Sequence, residues 1–184
     1  MWQSVLRSPW FVLMVMGAPL IGATSIGAPG RAQSWSDIGD YSSLLRRAGT
    51  QTLVAKDCPS GLLGAFHSGR NALLLCSNNL QDDPAHVWTV LAHESAHVMQ
   101  HCQQGPLLPD HQIDNALAQI EKQSLSSLQE LRLYHQSQRR DEIEARLVQG
   151  LPMAQVKALF RGFCGERLRQ RDANSSPATG FGDG

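Results

Sequence analysis

The chain has 184 residues, enough for one compact domain with a hydrophobic core but not comfortably for two. Its 16 basic and 16 acidic residues give a formal net charge of zero. A protein that binds nucleic acid needs an excess of positive charge to contact the phosphates. The composition therefore argues against a nucleic-acid partner.

The N-terminal residues 1–32 predict a secretory signal peptide. An apolar stretch covers residues 10–26, and the small residues Gly30 and Ala32 precede a cleavage site after Ala32. The alternative is an uncleaved N-terminal membrane anchor, but the stretch is short for a span and contains proline and glycine. We therefore expect an exported protein (periplasmic, lumenal or secreted) whose mature chain has no membrane span.

The rest of the chain divides into a folded domain at 33–171 and a Ser/Gly/Pro-rich tail at 172–184, which we expect to be disordered. Apolar periodicity and turn residues predict a helix at 38–48, a strand at 50–56, a β-hairpin formed by 62–67 and 72–76, and helices at 85–102, 113–133, 139–149 and 154–169. This order predicts an α+β fold, mainly helical, with a short antiparallel sheet or hairpin beside the helix at 85–102.

The four cysteines predict two disulfide bonds if the chain is exported. None of them lies in a Cys-x-x-Cys motif, so a thiolate zinc site has little support. Three pairings are possible. The hairpin between Cys58 and Cys76 favours a bond between these two, which leaves Cys102 to pair with Cys164 and to tie the helix at 85–102 to the last helix.

The motif His93-Glu94-Ser95-Ala96-His97 lies in the helix predicted at 85–102. Residues four apart share a helix face, so both imidazoles can bind one Zn²⁺ ion. Glu94 lies about 100° around the helix from His93, where it can act as a general base rather than as a ligand. Apolar residues on both sides of the motif indicate a buried helix and argue against an exposed histidine pair.

A third protein ligand has to come from elsewhere. The metzincin pattern fails, because Gln100 and Gln103 occupy the positions of its glycine and its third histidine. His101 lies on the same helix face as His93 and His97, but three successive turns spread their side chains over about 12 Å. We therefore expect His101 to support the site from behind, to line the cleft or to be exposed.

Downstream, the segment Asp141-Glu142-Ile143-Glu144-Ala145-Arg146 resembles the gluzincin metallopeptidases, among them the prenyl-protein proteases and thermolysin. The prenyl-protein proteases and their periplasmic relatives carry Glu-x-x-Ala-Asp after His-Glu-x-x-His. The resemblance implies that Glu142 is the third zinc ligand. Arg146 departs from the family, which has there an aspartate that supports a zinc-binding histidine. The resemblance also implies that 72–76 is the edge strand that aligns the substrate backbone.

Glu142 and Glu144 point about 200° apart on a helix, so only one of them can reach the metal. Glu144 lies nearer the centre of the apolar face of this helix, so periodicity favours it as the buried residue. The family spacing favours Glu142, and Glu144 remains the alternative ligand.

A peptidase also needs a donor for the oxyanion that forms on the attacked carbonyl. Tyr134 and His135 precede the presumed ligand helix and are the candidate catalytic donors, with Arg140 and Arg146 as further candidates.

Together, these features predict a zinc-dependent endopeptidase whose substrate is a protein or peptide in the exported compartment. The alternative is a zinc-binding module without catalytic activity that serves in interactions or as a chaperone. The intact Glu94 argues against this alternative, while the missing aspartate at Arg146 is in its favour. A third hypothesis is a disulfide-stabilised helical protein without metal.

Overall fold

The computed structural model describes residues 34–123 and 136–175. In chain order the elements are α1 (Trp35–Arg47), β1 (Gln51–Ala55), β2 (Gly64–His67), β3 (Ala72–Cys76), α2 (Pro84–Gln103), α3 (Ile113–Gln123), α4 (Gln136–Gln149), α5 (Met153–Phe163) and α6 (Gly165–Ser175). Two short 3-10 helices lie at Ser68–Arg70 and Asp110–Gln112. The predicted mainly helical α+β fold with a small sheet is confirmed.

The motif helix α2 begins and ends at sequence signals. Asp83 caps its N-terminus by accepting hydrogen bonds from the backbone amides of Ala85 and His86, and Pro84 occupies the first turn. At the other end Gln104 adopts a left-handed conformation with φ 58°, which stops the helix just before Gly105.

The sheet is mixed, and its strand order is β1-β3-β2. β2 and β3 pair antiparallel, as the hairpin predicts, but β1 pairs parallel to β3, with Gln51 opposite Ala72. The prediction that 72–76 is the edge strand is wrong, because β3 lies between the other two strands. Its continuous apolar run is typical of such a central, covered strand. β2 is the edge strand that lies beside α2.

The hydrophobic core lies behind the motif helix, where α1 and α5 pack against α2. The ring of Tyr41 meets Trp88 and Phe160 edge-on, with centroids 5.0 and 5.9 Å away. The Tyr41 hydroxyl also donates a hydrogen bond to Ser95 Oγ at 2.9 Å. Because Ser95 and Ala96 are small, α1 can pack directly against the back of the motif.

Both predicted disulfide bonds are confirmed. Cys58–Cys76 ties the segment before β2 to the end of β3. Cys102–Cys164 ties the last turn of α2 to the residue between α5 and α6. Two disulfide bonds are typical of a protein that matures in an oxidising compartment.

The C-terminal helices differ from the prediction. The single helix predicted at 154–169 is divided at Cys164, which leaves helical geometry with φ −100° and ψ 12°. α6 continues to Ser175 and therefore includes the first residues of the segment predicted as a tail from 172 onwards.

Several predictions lie outside the described residues. They concern the signal peptide at 1–32, the part of the helix predicted at 113–133 that follows Gln123, and the tail after Ser175. None of the helices in the described part of the chain combines the length and hydrophobicity that a membrane-spanning helix requires.

Candidate metal centre

α2 and α4 bring two imidazoles and one carboxylate together. Nε2 of His93 lies 3.4 Å from Oε2 of Glu142, and Nε2 of His97 lies 3.5 Å from Oε1 of the same residue. The two histidine rings are nearly perpendicular, with centroids 5.2 Å apart. One donor atom from each residue lies within 4.8 Å of the others, so a single metal ion can contact all three.

The spacing of these donor atoms suits a small metal cation. A tetrahedral site with bonds of about 2.0–2.1 Å places its ligand atoms roughly 3.4 Å apart. Nε2 of His93 and Oε2 of Glu142 are separated by that distance, 3.4 Å, and Nε2 of His97 lies 3.5 Å from the other oxygen of the same carboxylate. Moreover, Oε2 of Glu142 is buried without a hydrogen-bond partner among the described residues. Since a buried carboxylate oxygen needs compensation, a cation bound here would satisfy this atom.

Two glutamine side chains hold the histidines from behind. Nδ1 of His93 lies 3.0 Å from Oε1 of Gln149, and Nδ1 of His97 lies 2.8 Å from Oε1 of Gln100. An amide oxygen only accepts hydrogen bonds, so each Nδ1 carries the proton of the neutral ring. The lone pair of each Nε2 is therefore free and faces Glu142.

The charges of the three candidate ligands stabilise one another. Burial would raise the pKa of Glu142, but the contacts with His93 and His97 and the positive charge of those rings when protonated lower it to about 2. Burial would lower the pKa of His97, but the nearby Glu142 carboxylate, the hydrogen bond with Gln100 and the charge of Glu94 raise it. In the metal-free protein, protons therefore compete for the position of a metal ion.

Glu94 is 7% exposed and lies beside the candidate ligands without belonging to them. Burial raises its pKa, against the charges of His93 and His97 and a hydrogen bond with the backbone of Phe66. The charge of Glu142 acts in the same direction as burial. A carboxyl group whose pKa is shifted towards neutrality is suited to both accept and return a proton.

Gly64 allows the edge strand β2 to lie directly against α2. A Cβ atom at this position would lie 2.7 Å from Cγ1 of Val90 and 3.0 Å from Cγ of Glu94. It would also lie 3.1 Å from the backbone oxygen of Leu74. The absence of a side chain therefore brings β2, and with it the backbone of Phe66, to the Glu94 carboxylate.

Two clefts meet at the candidate metal centre. The first, of about 740 Å³, extends past His97 and is bounded by β2, by residues 104–106 and by the N-terminal half of α4. The second, of about 560 Å³, lies between residues 61–63 and the C-terminal half of α4. Both clefts are lined by Gly64, His93 and Glu94.

Glu144, the alternative ligand, does not face the histidines. It is 1% exposed and accepts hydrogen bonds from the backbone amides of Leu107 and Leu108 and from the side chain of Gln100. Apolar periodicity thus correctly identified Glu144 as a buried glutamate. Family spacing identified Glu142 as the glutamate that faces the imidazoles.

The other polar candidates have different positions. His101 is not part of the donor group and lines the first cleft, with its ring 5.7 Å from that of Phe66. Arg140 also lines the first cleft, but its guanidinium is held by Asp110 and lies 3.6 Å from Glu144. Arg146 lines the second cleft. The suggested oxyanion donors Tyr134 and His135 lie outside the described residues.

Sequence analysis missed Gln100, Gln149 and Gly64 as parts of the site. Gln100 follows His97 by three residues and Gln149 follows Glu142 by seven, so each shares a helix face with a candidate ligand. That spacing was the available signal. The family resemblance points instead to position 146 for the residue that supports a histidine.

The chain was compared with known protein families, curated proteins and solved structures. Residues 42–165 match a family described as a domain of unknown function (DUF8637). No curated protein and no solved structure is significantly similar to the chain. The matched segment covers more than half of the chain and includes all three candidate ligands. The chain therefore belongs to the DUF8637 family.

Proposed function

We propose that the chain is a zinc-dependent endopeptidase that hydrolyses peptide bonds in exported proteins or peptides. The observation that carries this proposal is the position of Glu94, buried beside the donor group of His93, His97 and Glu142, where two clefts meet. Zinc, when bound there, supplies a Lewis acid that polarises the peptide carbonyl and activates a water molecule.

Glu94 transfers the proton in this reaction. Its carboxylate takes a proton from the attacking water and returns it to the leaving peptide nitrogen. The raised pKa that follows from burial lets Glu94 hold the proton between these two steps. The hydrogen bond with the backbone of Phe66 keeps the carboxylate oriented meanwhile.

The edge strand β2 aligns the substrate. One side of β2 pairs with β3. No other strand within residues 34–123 and 136–175 pairs with the opposite side, which can therefore accept an extended peptide as a further strand. Such pairing holds the substrate by its backbone and places its carbonyl groups along the clefts.

Two leucines add a preference for side chains. Leu62 and Leu63 are 37% and 36% exposed and line the second cleft together with Val90. We expect this cleft to accept a large apolar side chain of the substrate, because exposed leucines gain free energy when they are covered. The clefts on the two sides of Glu94 allow a chain to be held on both sides of the cleaved bond, as an endopeptidase requires.

The loop that carries these leucines is held in place before any substrate binds. The Cys58–Cys76 bond anchors its start, and the side chain of Asn79 donates hydrogen bonds to the backbone oxygens of Pro59 and Leu62 at 2.7 and 2.8 Å. A preorganised wall lowers the entropy cost of substrate binding. This bond and the bond between Cys102 and Cys164 are consistent with activity in an oxidising, exported compartment.

The decisive experiment compares Glu94→Gln with Glu121→Gln, which changes an exposed glutamate of α3. Both variants should bind zinc with the stoichiometry of the wild type. Cleavage of unfolded casein should fall by about 100-fold or more in Glu94→Gln, since that is the usual contribution of a general acid–base residue, and should be unchanged in Glu121→Gln.

The same measurements test the alternative of a zinc-binding module without catalytic activity. Its argument was the missing aspartate at Arg146, but Gln100 and Gln149 contact the histidine Nδ1 atoms instead, so the argument loses its force. If the zinc-loaded wild type cleaves nothing in a broad peptide library, the module hypothesis replaces ours. A purified protein with intact disulfide bonds and no zinc by elemental analysis would favour the metal-free hypothesis.

A further inference from the structure

Glu144 is a buried carboxylate that the proposed reaction does not use. The backbone amides of Leu107 and Leu108 donate to it at 2.8 and 3.0 Å, and Nε2 of Gln100 donates to it at 2.9 Å. The Nε atom of Arg140 lies 3.6 Å from it. A carboxylate this deeply buried needs such partners, and removal of any of them leaves charge uncompensated.

The side chain of Gln100 connects Glu144 to the candidate metal centre, because it contacts both Glu144 and His97. A carboxylate only accepts hydrogen bonds, so the amide nitrogen of Gln100 has to face Glu144. The same nitrogen donates to the backbone oxygen of Asp141 at 3.0 Å. The amide oxygen of Gln100 consequently faces Nδ1 of His97, which must then carry the proton. This leaves the Nε2 lone pair of His97 directed at Glu142.

We propose that Glu144 is a positioning residue that acts through Gln100 to hold His97 in the tautomer and orientation that bind zinc. This inference rests on the zinc site proposed above. It explains why α4 has two inward-facing glutamates: Glu142 faces the histidines directly, and Glu144 holds one of them from behind.

Glu144 also links the metal site to the substrate cleft. The loop of residues 105–109 follows α2, and its Gly105 and Pro106 line the first cleft. The next two residues, Leu107 and Leu108, donate their amides to Glu144. The loop and His97 are thus held by the same carboxylate. Zinc binding and ordering of the loop should therefore strengthen each other.

The first test measures zinc affinity by competition with a chromophoric chelator in Glu144→Gln, a nearly isosteric change. The new side-chain amide can donate a hydrogen bond to Gln100. Gln100 would then turn its own amide nitrogen towards His97, and Nδ1 of His97 would have to accept instead of donate. We expect affinity to fall by about 10–100-fold, the usual effect of losing a supporting contact. Gln100→Ala should have a similar effect, and the double variant should lose little more than either single variant, because both changes interrupt one chain of contacts.

The matched control is Ile143→Ala, the neighbour of Glu144 on α4. Ile143 is buried in a separate apolar cluster with Ala116 and Ile120, so its truncation destabilises the same helix without changing the contacts of Gln100. We expect a lower unfolding temperature and a zinc affinity within about two-fold of the wild type. If Glu144→Gln weakens zinc binding no more than Ile143→Ala does, the positioning role is wrong.

Hydrogen exchange gives a readout that does not depend on activity. Zinc should slow exchange of the Leu107 and Leu108 amides in the wild type, and this effect should be lost in Gln100→Ala, which still has Glu144. Equal protection with and without zinc in the wild type would refute the link between loop and metal. A wild type that binds no zinc would instead overturn the proposed function, and this inference with it.

Discussion

On one face of α2, Trp88 packs against Tyr41 of α1, which also contacts Phe160 of α5. On the opposite face, His93 and His97 meet Glu142 of α4. The first face is stabilised by the burial of large rings, which depends on area and shape. The second is stabilised by hydrogen bonds whose donors and acceptors have to alternate in a fixed order.

The two faces of α2 therefore separate the residues that stabilise the fold from those that could bind a metal ion. Loss of volume on the aromatic face should lower the free energy of unfolding and leave metal affinity nearly unchanged, because no ring there contacts a candidate ligand. Loss of a hydrogen bond on the face with the histidines should instead lower metal affinity and leave the free energy of unfolding nearly unchanged. Each of the following predictions tests this separation.

The largest effect on stability should come from Phe160→Ala. This side chain is fully buried, and its removal should lower the free energy of unfolding of the metal-free protein by about 3–5 kcal/mol, measured by denaturant unfolding. Zinc affinity, measured under conditions in which the variant stays folded, should remain within about two-fold of the wild type. A large loss of affinity would show that the two faces are not separate.

Gly64→Ala should affect both properties, because Gly64 lies where β2 touches α2. The added methyl group would meet Val90, Glu94 and the backbone of Leu74, so we expect about 1–3 kcal/mol of destabilisation together with reduced cleavage. Gly39→Ala is the control: it lies in α1 with open space around the new methyl group and should stabilise the protein by about 0.5–1 kcal/mol. Equal behaviour of the two variants would contradict the close approach of β2.

Gln149→Leu should act on the polar face alone. It removes the acceptor for Nδ1 of His93 and should weaken zinc binding by about 10–100-fold, while the unfolding curve of the metal-free protein changes little. Gln155→Leu, an exposed position on α5, should change neither property. Isothermal titration with zinc measures the difference, and unchanged affinity in Gln149→Leu would argue against a supporting role.

The smallest effect should be the pH dependence of stability in the metal-free protein. The raised pKa of His97 favours the folded state below its usual value of 6.5, and this contribution is lost as the pH rises through the folded-state pKa. The pKa of Glu142, about 2 instead of 4.5, favours the folded state above pH 4.5, and this contribution is lost as the pH falls towards 2. The raised pKa of Glu94 favours the folded state at low pH, and this contribution is lost as the pH rises above 4.5.

The combined contribution of Glu142 and His97 should therefore be greatest between pH 4.5 and 6.5 in the absence of metal. Zinc competes with these protons, so its stabilising effect should grow from about pH 5 to about pH 8. Thermal unfolding with and without zinc measures both trends, and Glu142→Gln should flatten them. A zinc effect of the same size at both pH values would contradict the assignment.

The sequence predicted α2 well because several local signals agree there. Asp83 and Pro84 mark its start, and its apolar residues recur with helical period up to Met99. The direction of β1 could not be predicted in the same way. An alternating strand pattern says which face is buried but not whether the neighbouring strand runs parallel.

The candidate site likewise contains one part that local sequence signals predict and another that depends on the packing of distant segments. The spacing of His93 and His97 on one helix is local, so it could be recognised without the fold. The contact of His93 with Gln149 joins residues 56 positions apart and depends on how α2 packs against α4. Polar residues on a helix usually face water, so the spacing of this glutamine and of Gln100 from the candidate ligands is only a weak signal in the sequence.

The bond between Cys102 and Cys164 closes a covalent ring that contains α3 and α4, and therefore Glu142. For cysteines 62 positions apart, such a tether removes about 4 kcal/mol of chain entropy from the unfolded state in the simplest model. In the oxidised unfolded chain, Glu142 therefore samples a smaller volume around the two imidazoles than it would without the bond. We therefore expect oxidation to favour metal binding, because a reduced chain has to assemble the same three donors from a far larger set of conformations.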